Sequence, residues 1–145
     1  AGFVSEKNYK SELDSLIFDC GLEKNAKFLG WRNDVSDLVV MSDILLIPSL
    51  SEGVPNTVQE AMALGVPVIG SDAGGIPEII DNGINGYSIK LDNFSEWLQA
   101  LEELIFNAEI RTKIGKNARE SALQNFDNKV WVKKYHNIIN SVIEN

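Results

Sequence analysis

The chain has a single cysteine, Cys20, among its 145 residues, so no disulfide can close within it. That usage fits a reducing compartment. Positive charge is also scarce: 13 Lys and Arg stand against 21 Asp and Glu, a formal net charge of −8. Nucleic acid and anionic membrane surfaces are held through basic patches, so the balance argues against both as general partners. It does not argue against a small anionic ligand, because backbone amides can hold one without basic side chains. No apolar run approaches the ~20 residues that cross a bilayer, and no secretory leader is visible. Repeats, low-complexity stretches and linkers are missing too. No G-x-G-x-x-G follows a strand, and Gly115-Lys116 is followed by Asn117 without the upstream glycine of a P-loop. The length suits one domain, and the first residue is Ala1 rather than Met, so the expectation is a processed product, a cloned domain or a fragment.

What is present is an ordinary globular composition, 44% hydrophobic and 23% charged, ordered as strands alternating with helices. Residues 3–4 suit the tail of a strand. Asn8 is expected to cap a helix carrying Leu13, Leu16, Ile17 and Cys20 at helical spacing, with Gly21 as its stop. AKFLG (26–30) reads as a short strand, and Asn33 or Asp34 can cap a helix over roughly 34–41. ILLIP (44–48) and VPVIG (66–70) are continuous apolar runs, typical of parallel strands buried on both faces. A short helix fits Thr57–Leu64, and GYSIK (86–90) fits a further strand. Asn93 and Glu96 form a capping-box pattern ahead of Phe94, Trp97, Leu98, Leu101, Leu104 and Ile105. Helices over about 108–123 and from Asp127 onward complete the chain, the last with Trp131, Tyr135, Ile138, Ile139 and Val142 on one side. The fold class is α/β, a Rossmann-like doubly wound parallel sheet with C-terminal helices.

In such a sheet, ligands bind beyond the carboxyl ends of the strands. The strand at 44–48 runs into SEGVPNTVQEA (51–61), which sets Glu52 and Glu60 around a Gly-Val-Pro-Asn-Thr turn. Thr57 and Glu60 match a capping box, with Glu60 expected in the first helical turn. A helix starting near Asn56 or Thr57 would turn its free amides and its dipole toward a phosphate. Gly53 permits close backbone approach and Pro55 stiffens the turn. Two carboxylates beside a phosphate site make sense for a ligand that also carries sugar hydroxyls, since a carboxylate accepts from a diol. A nucleotide sugar has that composition. Taken alone, a glutamate pair at this spacing is more often a helix charge and a solvated loop charge.

The surrounding residues change that weighting. SLSEGVPNTVQEAMALGVPVIGSDAGGIPEII (49–80) closely resembles the donor-binding signature of retaining glycosyltransferases of the GT-B fold, family 4 in particular. FLGWRNDVSDLVVMSDILLIPS (28–49), DNGINGYSI (81–89), RTKIGKNARE (111–120) and NFDNKVWVKKY (125–135) are similar to flanking landmarks of that family. The resemblance implies transfer of a sugar from a UDP- or GDP-sugar donor to an acceptor hydroxyl with retention, in polysaccharide, lipopolysaccharide or glycolipid assembly. It implies that Glu60 binds the ribose hydroxyls. Glu52, the catalytic-site residue of the set, contacts the transferred sugar as a positioning group. Gly53, Val54, Pro55, Asn56, Thr57 and Val58 line the sugar and diphosphate. Trp31 and Arg32 lie toward the nucleobase, with Trp31 equally readable as a core or surface aromatic and Arg32 more readily as a solvated charge than as a specific ligand. Gly74 and Gly75 line the crevice or make a tight turn, and Glu78 is a helix-start charge.

No cofactor and no metal is implied, and no Asp-x-Asp metal motif occurs. The resemblance further implies that an N-terminal acceptor domain and the donor domain's first strand precede Ala1. The chain alone would then be inactive, its acceptor sugar or lipid-linked glycan being held by the other domain. An exposed sheet edge could draw it into a dimer, and the last helix would pack on the absent domain. The only histidine, His136, reads as a surface or packing residue. The expected location is cytoplasmic, peripheral at the inner face of the membrane. The alternative is a non-catalytic nucleotide-sugar-binding module, one subunit of a split transferase.

Overall fold

The computed structural model describes residues 7–53 and 55–143, so the expected strand tail at 3–4 and Val54 lie outside the described residues. The chain divides into two units, residues 1–35 and 36–145.

In the first unit, helix α1 (Lys7–Asp19) already includes Lys7, so Asn8 lies inside the helix and not at its cap. Leu13 and Ile17 are half-buried, whereas Leu16 and Cys20 are exposed. Gly21 ends the helix at φ 66°. Its amide bonds the Phe18 carbonyl and that of Leu22 bonds Ile17, which is a Schellman closure. The Lys10 ammonium sits 4.6 Å from the centre of the Phe28 ring. Residues 26–30 form no strand, contrary to expectation. A strand exists only where a neighbour completes its hydrogen bonds, and no described strand pairs with this segment.

The second unit begins within helix α2 (Val35–Val40), followed by β1 (Leu45–Ile47), α3 (Asn56–Leu64), β2 (Val68–Ser71), α4 (Ile76–Ile79), β3 (Tyr87–Ile89), α5 (Phe94–Phe106), α6 (Ala108–Asn125) and α7 (Asn128–Ile143). The strands form a parallel sheet in the order β1-β2-β3, with Leu45 opposite Val68 and Ile69 opposite Tyr87. Every residue of central β2 is buried. Strand β1, expected to be buried on both faces, is instead the edge of the described sheet, with Leu46 42% exposed. The α/β expectation holds.

Alternate β2 residues face opposite ways. Ile69 joins Ile89, Ala100, Leu104 and Ile114 in a buried cluster under α5 and α6. On the other face, a Cβ on Gly70 would meet Ile76 of α4 at 2.9 Å. Helix α3 lies against α6 at a point where Gly115 comes so near Gly65 that a Cβ there would be 2.2 Å from the Gly65 carbonyl oxygen.

Asn93 caps α5: its Oδ1 accepts from the Glu96 backbone amide at 3.4 Å, and its side-chain Nδ2 donates to Glu96 Oε2 at 2.8 Å. The apolar face of α5 is only partly used. Leu104 is buried and Trp97 and Leu101 are half-buried, but Phe94, Leu98 and Ile105 are exposed. Asp127 caps α7 through the Lys129 amide at 2.8 Å. Trp131, Tyr135 and Ile139 of α7 are exposed; the side chains of Ile138 and Val142 lie outside the described set. Among the described residues no helix is long and apolar enough to cross a membrane.

Candidate functional site

The loop that leaves β1 is built against the loop that leaves β2, as parallel neighbours require. Strand β1 stops at Ile47 because Pro48 has no amide to extend the ladder. The buried Ser71 hydroxyl, at the end of β2, takes over and donates to the Ser49 carbonyl at 2.6 Å. Four residues further along each chain segment, the Gly75 amide donates to the Gly53 carbonyl at 2.7 Å. Between them, Gly74 adopts φ 57° and lies flush against the Glu52 backbone. Glu52 is half-buried, and its Oε1 accepts from the Ser49 hydroxyl at 2.6 Å. Oε2 makes no hydrogen bond among the described residues.

Pro55 then leads the chain into α3 with extended backbone, φ −71° and ψ 118°. Its carbonyl accepts from Val58 at 3.1 Å and Gln59 at 3.4 Å. The amides of Asn56 and Thr57, at the head of the helix, have no intrahelical acceptor by construction. This is the anion-favouring end expected from the sequence, but the capping box is not. Thr57 is the second helical residue, so its backbone is already helical and cannot serve as a cap. Glu60 is correspondingly the fifth residue of α3, beyond the first turn, and it is exposed with no side-chain partner among the described residues. Val58 points the other way, fully buried in the core. Gly65 closes α3 in a second Schellman turn, its amide on Met62 and that of Val66 on Ala61.

Of the expected site residues, the second unit thus carries Glu52, Gly53, Pro55, Asn56, Thr57, Val58 and Glu60 on one loop-to-helix segment. Glu78 sits in the first turn of α4, as foreseen. Trp31 and Arg32 belong to the first unit. Trp31 is 64% exposed. Arg32 is engaged by Asp34, with Nε donating to Oδ1 at 2.7 Å and Nη2 to Oδ2. That hydrogen bond holds the Asp34 carboxyl below its ordinary range and the guanidinium above its own. Among the described residues no three His, Cys, Asp or Glu side chains gather as a metal-binding group. Sequence reasoning passed over Ser49 and Ser71. Nothing local marks them, since their bond spans 22 positions and exists only because β1 and β2 are neighbours.

The sequence model of the family described as "Glycosyl transferases group 1" matches residues 1–121. N-acetyl-alpha-D-glucosaminyl L-malate synthase of Bacillus anthracis is 34% identical over 128 residues, covering 88% of this chain and 34% of that protein. UDP-Gal:alpha-D-GlcNAc-diphosphoundecaprenol alpha-1,3-galactosyltransferase of Escherichia coli is 31% identical over 109 residues, 75% of this chain and 28% of that protein. Among solved structures, Anabaena Alr3699/HepE in complex with UDP superimposes with a TM-score of 0.89 at 29% identity, over 97% of this chain and 39% of that one. The C-terminal domain of the group 1 family protein LpcC from Francisella tularensis gives a TM-score of 0.77 at 27% identity, over 87% of this chain and 66% of that one. The chain spans about a third of the length of the curated relatives it matches.

Proposed function

The chain belongs to the glycosyl transferases group 1 family as a C-terminal domain of the GT-B fold, and from that membership we propose that it is the donor-binding domain of a retaining hexosyltransferase. The donor is a nucleoside-diphosphate sugar, UDP- or GDP-linked. Glu60 accepts hydrogen bonds from the ribose diol, and Glu52 from hydroxyls of the transferred sugar. The diphosphate lies between them at the head of α3. Support comes from the segment after β1: a carboxylate held on one oxygen by Ser49 and open on the other, followed by a helix start with unclaimed amides. The solved HepE structures hold UDP and, separately, UDP-glucose.

The chemistry follows from this placement. When the glycosidic bond to the diphosphate breaks, negative charge grows on the leaving oxygen. Oriented amides and the positive end of the α3 dipole stabilise that charge where it forms. Glu52 holds the sugar in register with the bond being broken and is not assigned as a nucleophile. Trp31 and Arg32, the residues expected toward the nucleobase, belong to the first unit, and Arg32 is already paired with Asp34. No cofactor or metal is assigned a role.

The acceptor, a sugar or lipid-linked glycan, is held by an N-terminal domain of the whole protein, so the 145-residue chain by itself binds donor without turnover. Both units belong to that one donor domain. The exposed α7 residues Trp131, Tyr135 and Ile139 are the surface that meets the other domain. The open edge of β1 can pair two copies when the chain is isolated. The setting is assembly of a surface polysaccharide, lipopolysaccharide or glycolipid, at the cytoplasmic face of a membrane.

Calorimetric titration of the full-length protein with UDP, GDP, ADP and their common sugar conjugates tests the reading. One base should be preferred. Glu60→Ala should weaken diphosphate and conjugate alike, by roughly 10- to 100-fold for the lost charged bonds. Glu52→Ala should weaken the conjugate alone. Failure of the wild type to bind any of the ligands would end the proposal.

A further inference from the structure

We infer that Ser49 and Ser71 are positioning residues for the Glu52 carboxylate, acting in series from the core of the sheet to the site. The first link is the Ser71 hydroxyl, 1% exposed, donating to the Ser49 carbonyl at 2.6 Å. The second is the Ser49 hydroxyl donating to Glu52 Oε1 at 2.6 Å. Each link has a distinct task. Strand β2 is the central strand, buried over all four residues and hydrogen-bonded to a neighbour on each side. Ser71 ties to it a chain segment that has left the sheet, and Ser49 ties that segment to one oxygen of the carboxylate.

The backbone beneath Glu52 is pinned from the other side. Gly75 holds the Gly53 carbonyl at 2.7 Å, and Gly74 fits against the Glu52 carbonyl with no room for a side chain. A glutamate that is free to rotate must lose its rotamer freedom when ligand binds. One already held through a short, charge-assisted bond loses less. Only one oxygen is used for the tether, so Oε2 stays available to a ligand hydroxyl. Serine suits this role because a hydroxyl can donate to the carboxylate without bringing a positive charge beside it, which would compete with the ligand's own donors.

The inference rests on the proposed donor site, and its test separates the two. Ser49→Ala, Ser49→Thr and Ser71→Ala are made in the full-length protein. Affinities are measured for UDP, UDP-glucose, GDP and GDP-mannose, and ligand-free crystal structures are determined for wild type and Ser49→Ala. For the base that binds, Ser49→Ala should weaken the sugar conjugate by about 10-fold while leaving the nucleoside diphosphate unchanged. Ser49→Thr, which keeps the hydroxyl, should restore the conjugate. Ser71→Ala should show the same selectivity together with a lower melting temperature. Equal weakening of diphosphate and conjugate would overturn the inference, because it would mark a general loss of structure. Unchanged conjugate affinity in Ser49→Ala would overturn it too. If the wild type binds none of the four ligands, the donor reading fails, and the crystal structures decide alone. A Glu52 carboxylate displaced in Ser49→Ala supports positioning; one left in place refutes it.

Discussion

A Cβ atom on Gly74 would lie 1.7 Å from the backbone carbonyl oxygen of Glu52. The contact joins the loop after β2 to the loop after β1, and it sets how far the Glu52 segment can stand away from the sheet. Gly74 also has φ 57°, where a side chain is strained even in open space.

Gly74→Ala should therefore act twice. Backbone strain alone should lower stability by about 1–3 kcal/mol, read from urea unfolding. Because the Glu52 backbone must retreat, sugar-conjugate affinity should fall as well. A variant with wild-type stability and affinity would show that the two loops do not constrain each other.

Gly115→Ala offers a sign test for the α3–α6 contact. In an exposed helix, glycine to alanine gains about 1 kcal/mol. Here the new methyl group would sit 2.2 Å from the Gly65 carbonyl oxygen, backbone against which no rotamer can give way. Overpacking of this kind costs about 1–3 kcal/mol, so the substitution should destabilise. A stabilised Gly115→Ala protein in a urea melt would mean the helices are farther apart than described.

Tyr87 should govern part of the alkaline limb of stability. Its hydroxyl donates to Glu103 Oε2 at 2.7 Å, and burial together with that carboxylate pushes its pKa up to about 12. An unfolded tyrosine ionises near pH ~10. The folded value is the higher one, so the unfolded chain loses its proton first. The stabilisation is complete below the unfolded pKa and is lost as pH rises through the folded value. In a spectrophotometric titration, one of the three tyrosines should ionise late, and Tyr87→Phe should remove that late component. It should also flatten the fall in stability across the same window. Three tyrosines ionising together in the wild type would contradict the Tyr87–Glu103 contact.

Asn93→Ala isolates fold from site. Loss of the Asn93 cap on the Glu96 amide should lower stability by about 1 kcal/mol and leave nucleotide-sugar affinity unchanged. A concurrent loss of binding would show that α5 is coupled to the ligand crevice.

The features legible in the sequence were those whose causes lie within a few residues. Asn93 and Asp127 cap the helices that follow them, and Gly21 ends the one before it, because each satisfies backbone groups no more than five positions away. The strands at 45–47 and 68–71 were legible from their apolar runs, and that at 87–89 from the strand-like GYSIK segment. The loop from Glu52 into α3 was legible because a strand, a turn and a helix start follow one another directly.

Local signals failed where a partner was needed. AKFLG has strand composition but no described neighbour to bond, so it is not a strand. Thr57 has cap chemistry, yet Pro55 starts α3 earlier and carries Glu60 past the first turn. The aliphatic stretch of β1 looks like a central strand, but its position at the edge leaves Leu46 half in solvent. Composition thus determined an acidic chain with no internal disulfide, the alternation of strand and helix patterns determined its α/β class, and the 49–80 segment pointed to its family. The tether from Ser71 through Ser49 to Glu52 and the seat of Glu52 on Gly74 were decided only by the tertiary structure. They join residues some twenty positions apart, and they arise because two parallel strands end side by side.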